Sequence, residues 1–124
     1  MDVAEIAGSG GVIRIADKVL ASIARRACLS VPGVASMNSR YNHAIPSMIA
    51  GDDAEGVRIS IRDNQVEVDL YILAVHGLRV PEVALHVQEK VRDTLSSMTG
   101  LHVSSVNVSV EGMIFGQEGR YNHG

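Results

Sequence analysis

Apolar and polar residues alternate twice in close succession near the middle of the chain. Val57, Ile59 and Ile61 alternate with Arg58 and Ser60. After Arg62-Asp63-Asn64-Gln65, Val66, Val68, Leu70, Ile72 and Ala74 share one parity, and Glu67, Asp69, Tyr71, Leu73 and Val75 share the other. A period of two puts each set on one face of a strand, so two strands joined by a turn form an antiparallel hairpin. The second parity changes from charged to apolar after Asp69. That marks a central strand, or an outer face that meets a partner.

Helical spacing flanks this hairpin. Val19, Ile23 and Ala27 form one column at spacing four, and Leu20, Ala24 and Cys28 form the next. This wide stripe predicts a helix from Asp17 to about Ser30, with Lys18, Ser22, Arg25 and Arg26 on the wet side. Val31-Pro32-Gly33-Val34 ends it, because proline restricts its predecessor and glycine suits a turn. Downstream, His76-Gly77 closes the long strand. Pro81 and Glu82 suit the first turn of a second helix. Val83, Val87, Val91 and Leu95 form its apolar column, Ala84 and Met98 widen it, and Gly100 terminates it. A very short strand from Val12 to Ile15 precedes the first helix. Val106, Val108 and Val110 alternate with Ser105, Asn107 and Ser109 in a last strand.

Residues 35–56 carry no period and read as a long connection, partly pinned by Met37, Ile45, Met48 and Ile49. The order β-α-β-β-α-β predicts an α/β (α+β) domain of two layers: a small mixed sheet with both helices on one face. Residues 1–11 read as a flexible lead, 12–115 as the domain and 116–124 as a flexible tail. On the uncovered face, Tyr71, Leu73, Val75 and Val103 form the candidate interaction surface. Pro32, Gly33, Gly77 and Gly100 are the architectural turns.

Composition narrows the function classes. The 124 residues are 46% hydrophobic but only 3% aromatic, with formal net charge −3. There is no basic excess to grip a phosphate backbone and little surface for base stacking. A single cysteine excludes an internal disulfide framework and a cysteine-rich zinc site. The N-terminal residues lack the basic and apolar regions of a signal peptide. Nowhere do 18 apolar residues run together, so the cytoplasm is the expected compartment.

Candidate chemistry is sparse. His43, His76, His86, His102 and His123 are scattered, and neither H-E-x-x-H nor C-x-x-C occurs. His86 is four residues from both Glu82 and Lys90, which suits a surface pair. Cys28 falls on the buried stripe of the first helix and reads as a small core residue. Asp52, Asp53 and Glu55 read as a solvated turn. Glu67 and Asp69 are placed to offset Arg58 or Arg62 across the hairpin. Gly8-Ser9-Gly10-Gly11 matches a G-x-x-G pattern but precedes a strand, whereas the KH loop joins two helices. Arg-Tyr-Asn-His occurs at 40–43 and again at 120–123, with no wider repeat around it.

The ordered segments resemble the alkaline-shock-protein family of bacterial envelope-stress proteins from about Gly11 to Phe115. The carriers are Gly11-Val12-Ile13-Arg14-Ile15-Ala16 with its helix, Val31-Pro32-Gly33-Val34, and Val66-Glu67-Val68-Asp69-Leu70-Tyr71 with Gly77. They continue through Val83 to Val91, Met98-Thr99-Gly100-Leu101, and Val106-Asn107-Val108-Ser109-Val110-Glu111-Gly112. The resemblance implies a non-enzymatic interaction protein of the cytoplasm. It would meet a membrane-protein partner at the envelope; the small size and the uncovered sheet face add the expectation of homo-oligomers. No cofactor, small-molecule substrate or catalytic residue carries over, and nucleic acid is not an expected partner. The segment from Tyr41 to Gly56 matches no family element. The rival reading is a KH-like nucleic-acid-binding module, and a third is an enzyme or metal protein built on Cys28 and a histidine.

Overall fold

The computed structural model describes residues 2–38 and 55–115. Its elements run β1 (Val3–Gly8), β2 (Gly11–Ala16), α1 (Asp17–Leu29), β3 (Val34–Met37) and β4 (Val57–Arg62), then β5 (Gln65–Val75), α2 (Val80–Thr99) and β6 (His102–Ile114). Among the described residues the fold is mixed α/β, with two helices, one sheet of two strands and one of four.

Strand β5 is the axis of the larger sheet. It pairs in parallel with β6 from Gln65 to Val75. Its other edge is shared. There β4 runs antiparallel to residues 65–70, and β3 runs antiparallel to residues 72–74. The parallel partner needs a crossover, and α2 is that crossover.

Alternation decides which face the helices cover. Val66, Val68, Leu70, Ile72 and Ala74 are all buried, and with Val57 and Ile59 they form the sheet side of the core. Helix α1 lies on β3 and β4, α2 lies on β6, and the helices pack against each other. Their core stripes are Leu20, Ala21, Ala24, Ala27 and Cys28 from α1, and Val83, Val87, Val91 and Leu95 from α2. Two edges of the expected stripes fall outside the core: Val19 is 46% exposed and Met98 65%. Helix α2 ends at Gly100, whose left-handed backbone lets its amide donate to the Ser96 carbonyl at 2.8 Å.

The β4–β5 connection has positive φ at both central residues, Asp63 (51°) and Asn64 (61°). This is the requirement of a two-residue type I′ turn, whose twist matches a hairpin, and Asp and Asn tolerate it better than most residues.

Two strands lie where the sequence pattern shows none. The first is in the lead expected to be flexible, where Val3–Gly8 forms β1 and pairs with β2 from Val3↔Ala16 to Gly8↔Gly11. Ala4 is fully buried, and Arg14 meets Glu5 at 3.1 Å on the exposed side. Alanine and glycine weaken its strand signal, so its partner defines it. The second is β3, which occupies the edge of β5 that β4 leaves open and has an irregular register between Val34 and Ser36. The order among the described residues is therefore β-β-α-β-β-β-α-β. Residues 39–54 of the long connection, the tail from 116, both Arg-Tyr-Asn-His copies, His43, His123, Asp52 and Asp53 lie outside the described residues.

Candidate interaction surface

Because both helices cover one face, the other face of the larger sheet is built from the second parity of β5 and its neighbours. Register assigns the rows. Glu67 lies between Ser60 and Ser105, and Asp69 lies between Arg58 and Asn107. Tyr71 has Ser109 beside it, Leu73 has Ser36 and Gly112, and Val75 has Ile114. The face is thus divided along β5 into a polar half and an apolar half.

In the polar half, the Asn107 side-chain amide donates to both carboxylates, at 3.3 Å to Glu67 and 2.9 Å to Asp69. The offset expected from Arg58 or Arg62 is not the arrangement found; the donor comes from β6 instead. That pairing required the parallel register, which no local pattern displays.

In the apolar half, Tyr71, Leu73 and Val75 are each half-buried. The Tyr71 main chain is gripped on the β3/β4 edge: its amide donates to the Gly56 carbonyl at 2.9 Å, and its carbonyl accepts from the Asn38 amide at 2.8 Å. Gly56 can sit there only without a side chain. Its φ is +72°, and a Cβ would come within 2.8 Å of Met37 Cβ and 2.9 Å of the Tyr71 carbonyl oxygen. Leu73 lies over Gly112, where a Cβ would stand 3.2 Å from Leu73 Cδ2. At the end of the row, the His76 amide donates to the Ile114 carbonyl at 3.0 Å. The His76 and Phe115 rings stack with centroids 4.2 Å apart. Phe115 is 59% exposed and forms the rim of the patch.

Val103 does not belong to this face. It pairs with Val66 and is 5% exposed, on the helix side. Simple alternation from Val106 would turn it outward. A register shift between Val66 and Glu67 leaves Ser104 as an extra residue, so Val103 and Val106 both turn inward. Ile114 takes the outer place opposite Val75.

The turns sit where the chain changes direction. Pro32 and Gly33 follow α1, Gly77 lies between β5 and α2, and Gly100 ends α2. Gly33 has φ +101°, and a Cβ there would stand 2.6 Å from Val83 Cγ2, so the Val83 side chain from the first turn of α2 packs directly on the backbone of this turn.

Chemistry elsewhere is thin. Burial pushes the Cys28 thiol up to about 12, because the charged thiolate would lose its water. Such a thiol is neutral and inert near pH 7. Glu55 meets Arg25 at 3.6 Å, and Glu82 meets Arg79, not His86, at 3.6 Å. An open groove of about 450 Å³ separates Ser30, Val31 and Pro32 from His86, Glu89, Lys90 and Asp93. Its charged side chains are exposed to water. Among the described residues no group of three His, Cys, Asp or Glu side chains could hold a metal ion. No helix among them is long and apolar enough to cross a membrane.

A family model covers residues 5–115, spanning β1 to the end of β6, and describes the alkaline shock protein 23 family, with cell envelope-related function. The chain belongs to that family. It is similar to the uncharacterized protein YqhY of Bacillus subtilis, 31% identical over 85% of this chain and 78% of the relative. It is also similar to the uncharacterized protein YloU of the same organism, 33% identical over 83% and 88%. The uncharacterized protein Spy1614 of Streptococcus pyogenes is 30% identical over 82% and 86%. No solved structure gives a significant match. The family match starts within β1, so the hairpin β1–β2 belongs to the shared domain and is not a lead before it.

Proposed function

We propose that this chain is a non-enzymatic structural and interaction protein of the cell envelope. It works from the cytoplasmic side, self-associates, and offers its open sheet face to a membrane-protein partner. The observation that carries the reading is the apolar half of that face. Tyr71, Leu73, Val75 and Ile114 form one contiguous patch on a sheet whose other side is already filled by helices. Contiguous apolar surface of this kind is characteristic of association sites. The envelope-related description of the family supports the setting. A buried, neutral Cys28 and the exposed, scattered His76, His86 and His102 favour association over chemistry.

Two measurements test it. Sedimentation over a rising concentration series follows self-association; a strict monomer at the highest concentration rejects that part. Cell fractionation compares the natural chain with Leu73→Glu. The natural chain is expected with the envelope fraction and the variant largely without it. Equal distribution of the two rejects the sheet face as the contact.

A further inference from the structure

We propose that two copies of this chain join edge to edge through β6, as an antiparallel pair centred on Val108. The inference rests on the self-association proposed above and adds where the second copy binds. It leaves the open face to the other partner.

Strand β6 runs from His102 to Ile114 and has one strand partner among the described residues, β5. Its second edge therefore presents main-chain donors and acceptors to whatever lies beside it, apart from the Val106 carbonyl, which already accepts from the Gln88 side chain. The group that satisfies such a row is another strand. Natural edges are blunted with lysine, proline or bulges. Here the two register shifts sit towards the ends of β6, and Ser105 to Val110 between them pairs regularly with Glu67 to Ile72. That stretch has no proline and no charged residue.

The stretch is also complementary to itself. Centred on Val108, an antiparallel copy places Val106 opposite Val110, Ser109 opposite Asn107, and Glu111 opposite Ser105 of the second copy. No charge meets a like charge, and valine meets valine on the helix side. Opposed residues of an antiparallel pair share a face, so the helices of both copies lie on one side of a continuous sheet.

Burial points the same way. On the helix-covered side of β6, Val106 is 3% exposed, but Val108 and Val110 are only partly buried. The flank of α2 above them is equally open. Gln88 reaches down to the Val106 carbonyl at 3.0 Å, and Leu85, three residues earlier on that flank, is 51% exposed. A second copy joined at β6 brings its own valines and α2 flank against these residues. A strand paired with its own copy about a two-fold axis closes at two copies.

Cysteine cross-linking of the full chain tests this, using diamide or a short bis-maleimide. Cys28 is buried, so the natural chain supplies a quiet background. Val108→Cys faces itself across the axis and is expected to give a covalent dimer as the main product. Ser97→Cys, exposed on α2, is expected to stay monomeric. Val106→Cys and Val110→Cys are expected to link with each other when mixed, and weakly alone. Thermal melts matching the natural chain show that each variant is folded. If the chain sediments as an oligomer while folded Val108→Cys fails to cross-link, the β6 pairing is overturned and self-association stands. If the chain is a monomer throughout, both fail. A monomer whose β6 edge becomes protected from hydrogen exchange only on binding a different protein also overturns the pairing.

Discussion

The side-chain amide of Asn64 closes two hydrogen bonds on the main chain of Glu5, 59 residues away. Asn64 Nδ2 donates to the Glu5 carbonyl at 2.6 Å, and the Glu5 amide donates to Asn64 Oδ1 at 3.0 Å. One side chain thus imitates a strand neighbour for β1. The same residue holds a positive φ in the β4–β5 turn. It both shapes that turn and clips the N-terminal hairpin to the larger sheet.

Replacing Asn64 therefore separates two roles. Asn64→Ala loses the clip and strains the turn, and is expected to cost about 1–3 kcal/mol. Asn64→Gly keeps the turn and loses only the clip. In both, hydrogen exchange should accelerate across residues 3–16 while β5 and α2 keep their protection. Unchanged exchange in that hairpin would show that the clip is dispensable.

The close approach at Gly33 predicts a second effect. Gly33→Ala must accept a left-handed backbone and a Cβ 2.6 Å from Val83 Cγ2. It should cost more than about 2 kcal/mol in urea unfolding, through strain and displacement of α2. Gly77→Ala has a similar φ of +104° but open space around it. Its cost should stay near 1 kcal/mol. Equal losses at the two positions would discount the contact with Val83.

Cys28 predicts a pH dependence. Burial raises its thiol from 9.0 to about 12 in the folded chain. The folded state therefore holds a proton that the unfolded state releases in this interval. The stability associated with the neutral thiol is complete below pH 9 and is lost as pH rises towards 12. Denaturant midpoints measured across that range should fall more steeply for the natural chain than for Cys28→Ala. Alkylation of Cys28 at pH 8 should proceed only as fast as the protein opens.

Core and rim of α2 should differ sharply. Leu95 is fully packed, and Leu95→Ala is expected to cost about 2–5 kcal/mol. Met98, three residues later, is 65% exposed, and Met98→Ala should change stability by less than about 0.5 kcal/mol. Paired thermal melts check both. A large loss at Met98 would place it in a contact that the folded monomer does not contain.

The sequence by itself determined the elements whose pattern is local. The parity of Val66 to Ala74 marked the buried face of β5. The columns of α1 and α2 marked most of their core stripes, and Gly33 and Gly100 marked the turns. These signals survive in one sequence because burial repeats with the period of the element that carries it. The ordered segments also sufficed to point to the family. Tertiary structure decided what depends on pairing. β1 and β3 are strands because β2 and the free edge of β5 pair with them, although their own residues signal it weakly. Asn107, not an arginine, reaches Glu67 and Asp69 because β6 lies parallel to β5. Val103 turns into the core and Ile114 joins the outer patch because each of two register shifts leaves one extra residue in β6, one after Val103 and one before Ile114, and reverses the facing of the strand end beyond it. Periodicity records which residues share a face; the register between distant strands depends on the packing of the whole sheet against its helices.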